Sequence, residues 1–163
     1  MQRSVTAAVA LLVCVCAGAQ DSTFSVRLMT LETATQAARA ALESCRASGF
    51  QVAVAVVDRS GVTQVLLRDR FAGAHTVDMA VDKAWTAASF RTNTTALAEA
   101  TASGKAMSGL RARPRVVAVG GGIVIEAAGA LLGAIGVSGA PGGDRDDVCA
   151  RAGIAAVQQN LDF

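Results

Sequence analysis

The sequence predicts an α+β domain, a mixed α/β class, in which helices pack on a five-stranded antiparallel sheet. Residues 30–48 and 76–91 repeat apolar side chains three and four positions apart, which is the period of an amphipathic helix. Five shorter segments are continuous apolar or β-branched runs bounded by turn residues, which is typical of strands. Two of the strands follow each other directly in the sequence, and so do the other three. Because the connections within each group are short, neighbouring strands are expected to be antiparallel.

The predicted domain begins with a helix and a hairpin. Thr30 can cap the first helix, whose apolar stripe continues to Ser48, and Gly49 can end it. Two β-branched runs follow at 52–57 and 62–68, and the four residues between them, Asp-Arg-Ser-Gly, are typical of a hairpin turn.

Two helices are predicted next, at 76–91 and 95–103. The first is amphipathic, and Trp85 on it is expected in the core. Lys83 has aspartates near it on the helical net, including Asp82, so we expect it to form an ion pair at the surface.

The chain is predicted to end in three strands and a helix. The strands are assigned to apolar runs at 115–119, 123–127 and 131–138, which follow Pro114 and are separated by Gly-Gly-Gly and Ala-Gly. This spacing favours an antiparallel meander. Residues 144–160 form the last predicted helix.

The N-terminal residues have the pattern of a secretory signal. They carry an early positive charge at Arg3, an apolar stretch from Val5 to Cys16, and then the small residues Ala-Gly-Ala. The apolar stretch is too short to span a bilayer. We therefore expect residues 1–19 to be removed and residues 20–163 to form one exported domain, periplasmic or extracellular, with no membrane partner after cleavage.

The charge of the chain is nearly balanced, with 15 lysines and arginines against 13 aspartates and glutamates. This balance gives no electrostatic footprint for nucleic acid or for an anionic membrane. We therefore expect no nucleic-acid partner.

The glycine-rich stretch at 136–153, GVSGAPGGDRDDVCARAG, invites comparison with a phosphate-binding loop. It matches neither G-x-G-x-x-G nor G-x-x-x-x-G-K. In addition, Asp144, Asp146 and Asp147 occupy the first turn of the following helix, where their charges would repel a phosphate. The stretch is therefore interpreted as a strand-to-helix connection and not as a nucleotide site.

No familiar catalytic motif is present in the sequence. Ser138 does not lie in a G-x-S-x-G elbow, the single histidine has no neighbouring nucleophile, and neither H-E-x-x-H nor a Cys/His cluster occurs. An enzyme site assembled from distant residues stays open, because its members converge only in space.

Three segments carry a resemblance to a known family: VAVAVVDRSGVTQVLLRDRFAGAHT, DKAWTAASFRTNT and GALLGAIGVSGAPGGDRDDVCARAGIAAV. They resemble the GlcG/HbpS-type haem-binding family, also called the haem-degrading domain, over residues 28–160. The resemblance implies a profilin-like fold and assembly into a homo-oligomer. It also implies haem or a related tetrapyrrole as the bound cofactor.

His75 is the candidate axial ligand for the haem iron. Haem iron is held by histidine, cysteine, methionine or tyrosine, and this chain has one histidine and no tyrosine. The alternative, a loop histidine that caps or solvates the start of the second helix, stays open. Met79 lies one turn further on and is expected in the core.

Three further residues are candidate haem contacts, one of them from the resemblance and two from their chemistry. In the family's haem-binding member a threonine after the second helix is assigned to the iron, and Thr94 stands at the matching position. The alternative is that Thr94 caps a helix beginning at Thr95. Arg91 and Arg113 are candidates to pair with the haem propionates, because guanidinium groups bind carboxylates in a bidentate manner. Solvated loop residues are the alternative for both.

Cys45 and Cys149 form a candidate disulfide. In the profilin-like fold that the resemblance implies, the first and last helices pack antiparallel on one face, which brings these two cysteines together. Export to an oxidising compartment would permit the bond. The alternative is a pair of buried free thiols.

Three classes of function are consistent with the sequence. The resemblance favours an exported, oligomeric haem-binding protein that takes part in haem handling or redox sensing. Family members in glycolate operons indicate instead an enzyme that acts on a small oxidised metabolite. The third class is a protein-interaction or sensory module that binds no haem.

Overall fold

The structure is a computed structural model that describes residues 22–161, so the predicted signal segment 1–19 lies outside the described residues. Ten elements follow one another along this part of the chain. They are α1 (Leu31–Ala47), β1 (Ala53–Asp58), β2 (Thr63–Arg68), α2 (Thr76–Phe90), α3 (Thr94–Ala100), a 3₁₀ turn (Ser108–Ala112), β3 (Gly122–Ala127), β4 (Ala130–Ser138), α4 (Gly143–Ala155) and α5 (Gln158–Leu161).

The strands form one antiparallel sheet in the order β2-β1-β4-β3. The hairpin of β1 and β2 is confirmed, and Val54 at its centre pairs with Leu67 of β2 and Val137 of β4. Within the described residues the sheet has four strands, so the predicted count of five is corrected.

The predicted strand at 115–119 is wrong, because a turn at Arg115 is followed by residues with no regular secondary structure. Arg115 has a φ of 69°, which no strand residue adopts. The Val117 N–H donates to the hydroxyl of Thr86 on α2 at 3.0 Å, and not to a neighbouring strand. The apolar run therefore lies along α2 and leaves β3 as the edge of the sheet.

Side chains alternate between the two faces of the sheet, as the period of a strand requires. Val54 and Val56 point to the face covered by α1 and α4. Ala53 and Ala55 point to the opposite face, which α2 covers. Since the second set is small, α2 can lie close to the sheet.

Gly136 of β4 is the point of closest approach between α2 and the sheet. A Cβ at this position would overlap the carbonyl oxygen of Ala80 and lie 2.7 Å from the backbone nitrogen of Ala84. The helix therefore packs directly on the backbone of β4, and this contact fixes where the side chains of α2 reach.

Helices α1 and α4 pack antiparallel on the other face. Gln36 near the start of α1 donates to the carbonyl of Ala156, the residue after α4, at 3.1 Å. Cys45 near the end of α1 is joined to Cys149 of α4 by a disulfide, with their Cα atoms 5.4 Å apart. The start of α1 is capped as predicted, because the Thr30 hydroxyl accepts the Thr33 N–H.

Among the helices of residues 22–161, none combines the length and the apolar character that crossing a membrane would need.

Candidate functional site

A cavity of about 520 Å³ opens where the start of α2 meets the loop that follows β4. The residues that line it come from five parts of the chain: the loop before β1, the loop before α2, α2 itself, the segment before β3, and the end of β4 with its connection to the start of α4. Its side chains include Phe50, Phe71, His75, Met79, Lys83 and Ser138.

His75 lies at this cavity, immediately before α2. Its side chain is exposed and makes no capping hydrogen bond, and only its backbone carbonyl supports the helix, by accepting the Met79 N–H. Gly73 leaves space for the ring, since a Cβ there would lie 2.8 Å from the His75 Cε1. Within residues 22–161 neither ring nitrogen has a hydrogen-bond partner, so both are available to a ligand.

The wall beside His75 is apolar. Met79, one turn along α2, is half-buried and lines the cavity, so it is not the fully buried core residue that was predicted. Phe50 is half-buried, and Phe71 is 79% exposed. These side chains give the cavity a surface suited to a flat apolar molecule.

Lys83 and Asp146 form a buried ion pair at the inner end of the cavity. The Lys83 Nζ lies 2.7 Å from the Asp146 Oδ2, and the two side chains are 2% and 4% exposed. The Nζ also donates to the carbonyl of Val137 at 2.9 Å. The predicted surface ion pair of Lys83 is therefore wrong, because the side chain crosses to α4 beneath the protein surface.

Within the run Gly120-Gly121-Gly122, the last two glycines make room for this pair. A Cβ on Gly121 would lie 2.8 Å from both the Lys83 Nζ and the Asp146 Cβ, and the φ of 114° at Gly121 favours glycine. A Cβ on Gly122 would overlap the Lys83 carbonyl oxygen. Gly121 and Gly122 therefore lie against the buried ion pair, where a larger residue would not fit.

Burial raises the pKa of Asp146 above its ordinary value of 3.8, and the charge of Lys83 and the hydrogen bond from it oppose this rise. The Asp146 Oδ1 accepts the Ala140 N–H at 3.0 Å, so both carboxylate oxygens have partners. Lys83 therefore supplies the positive charge that compensates the buried carboxylate of Asp146.

Asp147 also holds the loops together and does not face solvent. Its carboxylate accepts the Thr95 hydroxyl at 2.6 Å and the Gly121 N–H. Of the three carboxylates that were expected to repel an anion, Asp146 and Asp147 are thus engaged, and Asp144 is exposed.

Arg91 lies at the other end of α2 from His75. It follows the helix with a φ of 50° and is exposed. The two positions are sixteen apart in the sequence, which corresponds to about 24 Å at the helical rise of 1.5 Å per residue. A haem bound through His75 in this chain is therefore not in reach of the Arg91 of the same chain.

Thr94 is a core residue. It is the first residue of α3 and is fully buried, and its hydroxyl accepts the Gly122 N–H at 2.9 Å. The predicted cap of a helix beginning at Thr95 is wrong, since the helix begins at Thr94 and the N-cap residue is Asn93. The hydrogen bonds of the Thr94 hydroxyl join the start of α3 to the start of β3. Thr94 is not among the residues that line the cavity.

Two of the three arginines in the RARPR segment hold this loop in place. Arg115 pairs with Asp82 at 2.9 Å and lies 4.6 Å from the centre of the Trp85 ring, which is half-buried and not fully in the core. Arg111 donates to backbone carbonyls of the α3 region. Arg113 is exposed and lies outside the cavity lining.

A metal site built from protein side chains alone is not found in residues 22–161, where no three His, Cys, Asp or Glu residues cluster to hold an ion.

Two solved structures share this fold at substantial sequence identity. The crystal structure of a glutamate-to-aspartate double mutant of HbpS from Streptomyces reticuli is 40% identical, with a TM-score of 0.79, and the match covers 94% of this chain and 99% of that one. The crystal structure of a PduOC–haem complex is 32% identical, with a TM-score of 0.76, and the match covers 80% and 95% of the two chains.

The corrinoid adenosyltransferase PduO of Salmonella typhimurium is a curated relative, 34% identical over 124 residues. This match covers 75% of the present chain but only 37% of the length of PduO. The sequence profile described as "Haem degrading protein HbpS-like" matches residues 29–155, which is most of the chain. The chain therefore belongs to the HbpS-like family.

Proposed function

We propose that this protein binds haem in the cavity at the start of α2, with His75 as the axial ligand of the iron. The observation that carries the proposal is the exposed imidazole of His75, with both nitrogens unpartnered in the described chain, at a cavity of about 520 Å³. The PduOC–haem complex supports the same cofactor in a relative of the same fold.

The residues of the cavity fit a haem in their chemistry. A neutral imidazole is a common ligand of haem iron, and Phe50, Phe71 and Met79 offer apolar surface to the macrocycle. When bound, haem would supply a redox-active iron. The protein would orient the macrocycle and restrict the access of water to one side of it. Thr94, Arg91 and Arg113 are not part of the site that we propose.

We further propose that the protein is exported, takes part in haem handling or redox sensing, and works as a homo-oligomer. The signal pattern at 1–19 and the Cys45–Cys149 disulfide support export, because disulfides persist in oxidising compartments. Exposed Val119, and exposed Leu66 on the edge strand β2, support assembly, since a second copy would cover them. A monomeric mass in light scattering at micromolar concentration would contradict the oligomer.

Titration of the protein with hemin tests haem binding. We expect a saturable change of the Soret band. A hemin spectrum that stays unchanged on addition of the protein would contradict the proposal.

A further inference from the structure

The inner end of the cavity is polar, in contrast to the wall beside His75. Three groups there carry N–H or O–H donors: the ammonium of Lys83, the hydroxyl of Ser138 and the backbone N–H of Gly143 at the start of α4. We call these three groups the donor floor. Each has a donor that the described part of the chain leaves unused.

Ser138 is the last residue of β4 and is 5% exposed. Because side chains alternate along a strand, it points to the same face as Ala134 and Gly136, which is the face that α2 covers. It lines the cavity, and its hydroxyl has no hydrogen-bond partner within residues 22–161. The hydroxyl is not among the fully buried polar atoms without a partner in residues 22–161, so it is accessible from the cavity and free to donate to a ligand group.

Lys83 contributes the second donor. An ammonium group has three N–H bonds, and the Nζ uses two of them, toward Asp146 and the Val137 carbonyl. The third remains at a position that lines the cavity.

The start of α4 contributes the third donor. The N–H groups of Arg145 and Asp146 donate to the Gly142 carbonyl, whereas the Gly143 N–H has no acceptor in the described structure. Gly142 and Gly143 both line the cavity. The positive end of the 13-residue helix α4 adds to the attraction for an anion.

We propose that the donor floor binds one carboxylate group of the ligand. Three donors that line one cavity, with a helix N-terminus beside them, match an acceptor-only group. The Asp146 charge at the same cavity is compensated by Lys83 and the Ala140 N–H. The carboxylate is either a propionate of haem, in which case the inference rests on the proposed function, or a small free carboxylate, in which case it does not.

The first experiment needs no haem. The ¹⁵N-labelled protein is titrated with acetate against sodium chloride at equal ionic strength, and amide shifts are followed by NMR. We expect saturable shifts at Ser138 and Gly143, and about fivefold weaker binding in Ser138→Ala, because one hydrogen bond to a charged group is lost. The matched control is Ser89→Ala, an exposed serine near the far end of α2, which should bind acetate as the wild type does.

The second experiment compares hemin with hemin dimethyl ester, whose propionates are blocked. We expect the wild type to bind hemin about fivefold more tightly than the ester, and Ser138→Ala to lose this preference. If acetate binds with the expected shifts and hemin does not bind at all, the donor floor serves a free carboxylate and only the haem proposal is wrong. If hemin and its ester bind equally and acetate causes no shift, the donor floor is overturned while the haem proposal stands. If none of the three binds, both are overturned.

Discussion

The Lys83 Nζ lies 2.7 Å from the Asp146 Oδ2, in an ion pair that joins α2 to α4 with both side chains almost completely buried. The pair lies at the inner end of the cavity, so the two helices that supply His75 and the Gly143 N–H are held together beneath the proposed site. The stability of the fold and the geometry of the site are therefore linked through one contact.

Replacement of Lys83 by methionine is expected to lower the free energy of unfolding by about 3–5 kcal/mol, because Asp146 would be left buried without its counter-charge. The free energy is measured by urea denaturation at neutral pH. Lys105→Met is the matched control: Lys105 is exposed, so its replacement should change the free energy by less than about 0.5 kcal/mol. Equal stability of the two variants would contradict the structural role of the pair.

The pKa of the Asp146 carboxyl is expected to lie above 3.8 in the folded protein, because burial disfavours the charged form. A raised pKa in the folded state means that the contribution of Asp146 to stability is fully present below pH 3.8 and is lost as the pH rises through the folded pKa. A ¹³C NMR titration of the carboxyl carbon measures this directly. A midpoint at or below 3.8 would show that the charge of Lys83 outweighs burial.

Substitution of Gly136 by alanine is expected to destabilise the protein by at least about 1–3 kcal/mol, since the new Cβ would overlap the Ala80 carbonyl oxygen and push α2 off the sheet. Gly109→Ala is a suitable control, because no atom lies within 4 Å of a Cβ built there. Thermal unfolding followed by circular dichroism compares the two. The prediction fails if Gly136→Ala melts at the temperature of the control.

Reduction of the Cys45–Cys149 disulfide is expected to cost about 4–5 kcal/mol in the chain-entropy model, because the two cysteines are 104 residues apart in sequence. The loss is measured as a lower urea midpoint with reductant than without it. Titration of thiols in the unfolded, unreduced mature protein should find none, and two reactive thiols would contradict the bond.

Local patterns in the sequence were sufficient to predict most of the fold. The cap and apolar stripe of α1, the apolar stripe of α2 and the turn of the β1–β2 hairpin depend on neighbours in sequence, and the structure confirms them. The apolar run at 115–119 has the same local pattern as a strand, but its partner is Thr86 on α2 and not a strand. Sequence alone does not reveal that choice, because it is decided by packing between distant segments.

The site was less predictable for the same reason. The partner of Lys83 is Asp146, 63 residues away, whereas the helical net offered only nearby aspartates. One signal was present: Gly121 and Gly122 stand where a Cβ would lie too close to Lys83 or Asp146. Ser138 also had a weak signal, because it is a polar residue at the end of an apolar strand, and the structure places it at the cavity.

The most direct test of haem binding through His75 is a hemin titration of the wild type, His75→Ala and Arg91→Ala, followed in the Soret region. We expect saturable binding by the wild type, loss or a strong shift of the Soret band in His75→Ala, and a wild-type spectrum in Arg91→Ala, whose side chain lies at the far end of α2. Far-ultraviolet circular dichroism checks that the variants are folded. An unchanged hemin affinity and spectrum in His75→Ala would contradict the account.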